Sequence, residues 1–148
     1  PAPALRFNLS HAAGLALYAF ATGREVGVDL ERIRHLPNPE GLAEMVFSPR
    51  ERAVLYGAPA AERHVLFFNG WTRKEAYVKA EGDGLATPLE EIDVPLTACP
   101  PHQLLYIETA AGRASRWAMR ALIPAPGFAG AVVAEGEDWQ ASYWQWLP

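Results

Sequence analysis

Asp29 and Glu31 flank Leu30 in VGVDLE, and Lys74, Glu75 and Lys79 fall together in WTRKEAYVKAEGDGL, residues 71–85. On a strand, Val26, Val28 and Leu30 point to one face while Gly27, Asp29 and Glu31 point to the other. Two carboxylates that close repel unless a cation lies between them, and oxygen-only ligands suit Mg²⁺ or Mn²⁺ rather than a soft metal. The same pattern also describes the polar face of a half-buried strand. Turning about 100° per residue from Trp71 places Glu75 at about 40° and Lys79 at about 80°, on the side of Phe67, Phe68 and Val78. An acid inside an apolar stripe either meets a cation or takes up a proton. A salt bridge between Glu75 and Lys79, one helical turn apart, is the simplest such partner.

Other candidates are less specific. Ser10 and His11 are neighbours, so on a strand they face opposite ways and do not form a nucleophile–base pair, and no G-x-S-x-G is present. His11 is open to two readings, a phosphate contact or a histidine in a turn. Glu51 sits at the third position after Ser48 in SPRE, where a capping-box acid belongs. His35, His64 and His102 lack metal-ligand spacing. The lone Cys99 excludes an internal disulfide and a cysteine metal cluster, and reads as a small buried or half-buried residue in a reducing compartment.

The elements that must position these groups follow from local patterns. RFNLSH alternates like a short strand, and GLALYAF, ATGRE and VGVDLE read as strand, glycine turn and strand, which predicts a hairpin. HLPNPEG is punctuation, Pro39 to Phe47 is expected to be helical, and Ser48–Pro49–Glu51 starts a second helix. A long helix is expected from Ala60 to about Glu81, ended by the glycines of EGDGL. LLYIETA, SRWAMRAL, GFAGAVVAEG and WQASYWQW give four further β-like runs. The expectation is one α+β domain over residues 1–148, an antiparallel or mixed sheet packed with a long helix. A chain of 148 residues with half of them hydrophobic has enough apolar surface for one core. Its net charge of −4 argues against general binding to nucleic acid or anionic membranes. No signal-like start and no apolar run of about eighteen residues is found, so a soluble, cytoplasmic protein is expected.

Taken together and in this order, FNLSH, VGVDLE, FSPRE and WTRKEAYVKAEGDGL resemble the 4′-phosphopantetheinyl transferases of the surfactin-synthetase-activating (Sfp) type. The resemblance is strong over about residues 7–89 and looser in GFAGAVVAEG and SYWQW. The short carrier-protein synthases place their aspartate motif first and their serine–histidine motif late; NLSH comes first here, as in the Sfp type. What the resemblance implies is transfer of the phosphopantetheine arm from coenzyme A to a serine of an acyl or peptidyl carrier protein, releasing 3′,5′-ADP. It implies that Asp29, Glu31 and Glu75 bind one Mg²⁺ bridging the pyrophosphate, with Mn²⁺ as a substitute. Lys79 is then expected near the transferring phosphate, Lys74 at a phosphate, His11 with Ser10 beside it at the nucleotide phosphates, and Glu51 as a further acid near the site. Glu75 is expected to double as the base.

The family is usually built as two similar α/β halves, and only the second is matched here. A missing first lobe, or a second copy, is therefore expected to complete the site, and an isolated lobe should expose the apolar surface that meets its partner. Carrier proteins are typically acidic, which nominates Arg50, Arg52 or Arg73 for docking. Two other readings use the same residues: a Mg²⁺-dependent phosphohydrolase with water as nucleophile, and a non-catalytic lobe that binds carrier protein or coenzyme A.

Overall fold

Ala13 and Gly14 both adopt positive φ, 47° and 82°, in the computed structural model, in which residues 2–82, 88–100, 103–109, 112–113 and 116–146 are described. Positive φ at both central residues makes a two-residue turn whose twist suits a tight hairpin. It joins β1 (Leu5–Ala12) to β2 (Leu15–Thr22), paired antiparallel in full register from Leu5 opposite Thr22 to Ala12 opposite Leu15. The hairpin predicted between GLALYAF and VGVDLE therefore does not form. Gly23 does make a turn, at φ 70°, but β2 turns back on β1, and β3 (Val26–Arg32) joins another sheet.

That second sheet has the order β3, β8 (Phe128–Glu135), β7 (Trp117–Leu122), all antiparallel, with Asp29 opposite Ala131 and Glu31 opposite Ala129. Between its strands run α1 (Pro39–Val46), α2 (Pro49–Gly57) and α3 (Ala60–Glu81). One turn of 3-10 helix (Leu89–Glu91) follows, then a small sheet of β4 (Ile92–Asp93), β5 (Glu108–Thr109) and β6 (Gly112–Arg113). The architecture is α+β, as expected.

Local chemistry sets the helix ends. Asn38 caps α1, while Ser48 caps α2 in a full capping box with Glu51. α3 ends where Gly82 takes the left-handed conformation at φ 76°; the second glycine of EGDGL lies outside the described residues. No helix among the described residues is long and apolar enough to cross a membrane.

α3 lies directly on β3. A Cβ built at Gly27 would overlap the Ala76 carbonyl and the Ala80 amide, so glycine is what lets helix and strand meet there. The other face of β3 is covered as well: Leu17 of β2 lies over Gly130, whose strand partner is Leu30. Val26 to Leu30 are consequently all buried, which corrects the reading of this strand as half-exposed. The free edge of β3 is met by side chains, Asn8 accepting from the Val28 amide and Ser10 from the Leu30 amide.

Two expected strands are reduced or absent. Of LLYIETA, a two-residue strand and a bridge from Leu105 to Met119 form. WQASYWQW is irregular through residue 146, held at its start by Trp139, whose carbonyl accepts from Arg120 and whose ring lies under that guanidinium. The outward face of the hairpin carries Leu5, Phe7, Leu9, Tyr18 and Phe20, all exposed.

Candidate active site

Because Gly27 faces α3, Asp29 two residues on faces it too, and Lys79 reaches down from the last turn of the helix. Lys79 Nζ donates to Asp29 Oδ1 at 2.8 Å and to the Val28 carbonyl at 3.2 Å. The bridge expected between Glu75 and Lys79 is thus replaced by an ion pair across the helix–strand contact. Asp29 is only 6% exposed. Its Oδ1 also accepts from Ser10 Oγ at 3.0 Å, while Oδ2 is buried and has no hydrogen-bond partner.

Glu75 lies one turn before Lys79 and is half-buried. Its carboxyl titrates above the ordinary glutamate range, first because burial disfavours the charge and next because Asp29 is negative; Lys79 opposes this and Glu31 adds to it. Asp29, Glu31, Glu75 and Lys79 therefore share one electrostatic environment. Glu31 is engaged on its outer side, 3.3 Å from Arg34, whose guanidinium rests 5.2 Å from the Phe68 ring centre.

Among the described residues no three acidic, histidine or cysteine side chains already stand close enough to hold a metal ion. The donor set nevertheless suits a hard divalent cation. Asp29, Glu31 and Glu75 offer only oxygen, Asp29 Oδ2 is an orphaned buried acceptor, and Lys79 and Arg34 offset only part of the local negative charge.

Other expected members fall elsewhere. Ser10 is buried under Asp29, and His11, next along β1, is exposed on the opposite side. Lys74 is fully buried, which removes it from contact with any phosphate in solvent. Its ammonium lies 2.6 Å from Glu51 Oε2 and donates to the carbonyls of Val46, Leu89 and Ile92. Glu51 also accepts from the Ser48 and Val94 amides, so this pair ties α1, α2 and β4 to α3. Burial pushes the Glu51 carboxyl up and the Lys74 ammonium down, each partly offset by the other. Arg73 is also buried, its guanidinium donating to the Pro95 and Thr97 carbonyls and to Cys99 Sγ, so it is not a docking residue. Arg50 is well exposed and pairs with Glu108 and Asp93. Sequence reasoning missed Arg34 and Asn8; the signals were there, a cation three residues after Glu31 and a polar residue two before Ser10.

Comparison with known proteins identifies the family to which this α+β arrangement belongs. Residues 25–133 match the profile of the 4′-phosphopantetheinyl transferase superfamily. The chain belongs to that family. It is 41% identical over 142 residues to the 4′-phosphopantetheinyl transferase HetI of Nostoc sp., covering 96% of this chain and 56% of that protein. To the 4′-phosphopantetheinyl transferase Sfp of Bacillus subtilis it is 32% identical over 94 residues, covering 64% and 41%. In fold it is similar to a holo-(acyl-carrier-protein) synthase from Bacillus anthracis, solved in complex with CoA (3′,5′-ADP), with a TM-score of 0.54 and 20% identity over 76% of this chain and 96% of that one. The chain spans about half the length of these two curated relatives.

Proposed function

We propose that this chain forms the catalytic lobe of an enzyme that transfers 4′-phosphopantetheine from coenzyme A to a serine hydroxyl of an apo acyl or peptidyl carrier protein, releasing 3′,5′-ADP. The observation that carries the reading is the meeting of Asp29, Glu75 and Lys79 across the β3–α3 contact. Membership of the family and the coenzyme A-derived ligand in the Bacillus anthracis synthase support it.

In the reaction, the serine oxygen bonds to the phosphorus that carries the pantetheine arm. The bond from that phosphorus to the bridging pyrophosphate oxygen breaks, and 3′,5′-ADP leaves with the electron pair. Glu75 accepts the serine proton, a role helped by its partial burial, which raises the carboxyl's proton affinity above the ordinary glutamate value. Lys79 places positive charge beside the phosphoryl oxygens, where transfer needs it most. Asp29, Glu31 and Glu75 would hold Mg²⁺, which supplies further charge neutralisation and a template when bound. Arg50 and Arg52 are proposed to meet the acidic carrier; reversing both charges without raising the carrier KM would remove that assignment.

The test is to incubate the chain with coenzyme A, Mg²⁺ and a purified apo carrier protein and to weigh the carrier before and after. An added phosphopantetheine mass, abolished by EDTA, is expected. Loss of coenzyme A without carrier would instead mark a phosphohydrolase. Absence of both, in this chain and in a longer chain carrying a first lobe, would mark a non-catalytic lobe and overturn the proposal.

A further inference from the structure

Ser10 touches the proposed cation site through only one atom, and the proton count on that atom decides what it does. Oγ accepts from the Leu30 amide at 3.2 Å and lies 3.0 Å from Asp29 Oδ1. A backbone N–H only donates and a carboxylate only accepts, so the single hydroxyl hydrogen is committed to Asp29. Nothing remains on Ser10 to donate to a phosphate. At 8% exposure the side chain is also closed off from solvent ligands.

We infer that Ser10 is a positioning residue for Asp29, fixing the direction of its carboxylate, and not a contact to the nucleotide. Lys79 and Ser10 both donate to Oδ1, and Oδ2 is buried with no donor. The two donors hold the carboxylate by one oxygen and leave the other free. Serine does this because its own oxygen is anchored by the Leu30 amide, which keeps the hydroxyl from turning away. Partners of this kind typically change metal affinity by about 10–100-fold when removed.

Asn8 supplies the control. It lies two residues earlier on the same face of β1 and accepts from the Val28 amide at 3.0 Å. Asn8 and Ser10 therefore make the same repair to the β3 edge, but only Ser10 bonds to Asp29. Losing either leaves one strand amide without its acceptor, so a purely structural role would make the two variants alike.

The inference rests on the reading of Asp29 as a cation ligand, and the experiment separates the two. Mn²⁺ alone is titrated into the whole chain and free ion is read by electron paramagnetic resonance, with thermal melts in parallel. Ser10→Ala is expected to weaken Mn²⁺ binding at least about tenfold, and Ser10→Thr, which keeps the hydroxyl, to restore it to within about threefold. Asn8→Ala is expected to lower Tm by as much as Ser10→Ala yet leave the Mn²⁺ Kd unchanged. Asp29→Asn is expected to abolish binding. If Asp29→Asn loses binding while Ser10→Ala binds like wild type, or if Asn8→Ala weakens binding equally, the role of Ser10 is overturned and the cation site stands. If Asp29→Asn binds as wild type does, or wild type binds no Mn²⁺, the cation reading fails and the role of Ser10 falls with it. Should Ser10→Ala fail to fold, Ser10→Cys carries the test, since it keeps the shape with a weak donor; a wild-type Kd there overturns the inference.

Discussion

Lys79 Nζ stands 2.8 Å from Asp29 Oδ1, joining the last turn of α3 to the middle of β3 by an ion pair whose acidic member is almost entirely buried. Local sequence spacing pointed to a different pair, Glu75 with Lys79, within one helix. The observed pair makes the site a property of the packing between two elements, and it exists only because α3 lies close enough on the strand.

Replacing Lys79 with Met removes the charge that the proposed transfer places on phosphate. The rate of carrier modification is expected to fall at least about tenfold, equivalent to about 1.4 kcal/mol in the barrier. Asp29 keeps only its bond from Ser10, so the metal-free protein should also lose about 1–3 kcal/mol in urea unfolding. A variant with undiminished turnover would take Lys79 out of the chemistry.

Glu75 sets function against stability, and the sign is fixed by its raised carboxyl pKa. An acid whose pKa is higher in the folded state favours folding while protonated, and that contribution is lost as pH rises through the folded value. At neutral pH the ionised, half-buried Glu75 therefore weakens the metal-free fold. Glu75→Gln is expected to lower kcat at least about tenfold while raising Tm at pH 7, with the gain shrinking as pH falls toward 4. Turnover assays beside melts at three pH values check this. A drop in Tm at pH 7 would show that Glu75 holds the fold together.

Gly27 controls the distance on which the site depends. A methyl group there would collide with helix backbone at Ala76 and Ala80, not with a side chain able to move aside. Gly27→Ala is expected to cost about 1–3 kcal/mol by overpacking and to lower turnover as α3 shifts from β3. Urea unfolding and the mass assay together check it; a stable, fully active variant would mean that the helix yields freely.

What could be read from sequence divides along the range of the signals. The ends of α3 and the box at Ser48 and Glu51 were legible because each is written within a few residues. The pairing of strands was not. Gly23 does form a turn after β2, but nothing local says that β2 bonds backward to β1 while β3 finds β8 a hundred residues on. HAAGL gave no Asn-Gly or Asp-Gly signal for the hairpin that did form. Type and spacing singled out Asp29 and Glu75 but left open a polar strand face and a salt bridge within the helix; their joint role came only with the family resemblance. The buried destiny of Lys74 was invisible, since a helix sequence does not say which of its lysines faces solvent and which faces another layer.

Lys74 yields the last prediction. Its ammonium is shared among Glu51 and three carbonyls, fully out of solvent, so removing the charge leaves Glu51 buried beside two amides without a cation. Breaking one side of a buried pair typically costs about 3–5 kcal/mol. Lys74→Met should lose about that much at pH 8. Burial already raises the Glu51 carboxyl, and without Lys74 its proton is held more tightly still. A raised folded-state pKa favours folding at low pH and loses that advantage as pH rises, so the penalty should be smaller at pH 5 than at pH 8. Glu51→Gln combined with Lys74→Met removes both charges and should recover part of the loss, which denaturant unfolding of the two single variants and the double variant measures as a coupling energy. A Lys74→Met protein of normal stability with a raised KM for coenzyme A would return Lys74 to the phosphate role that its burial denies it.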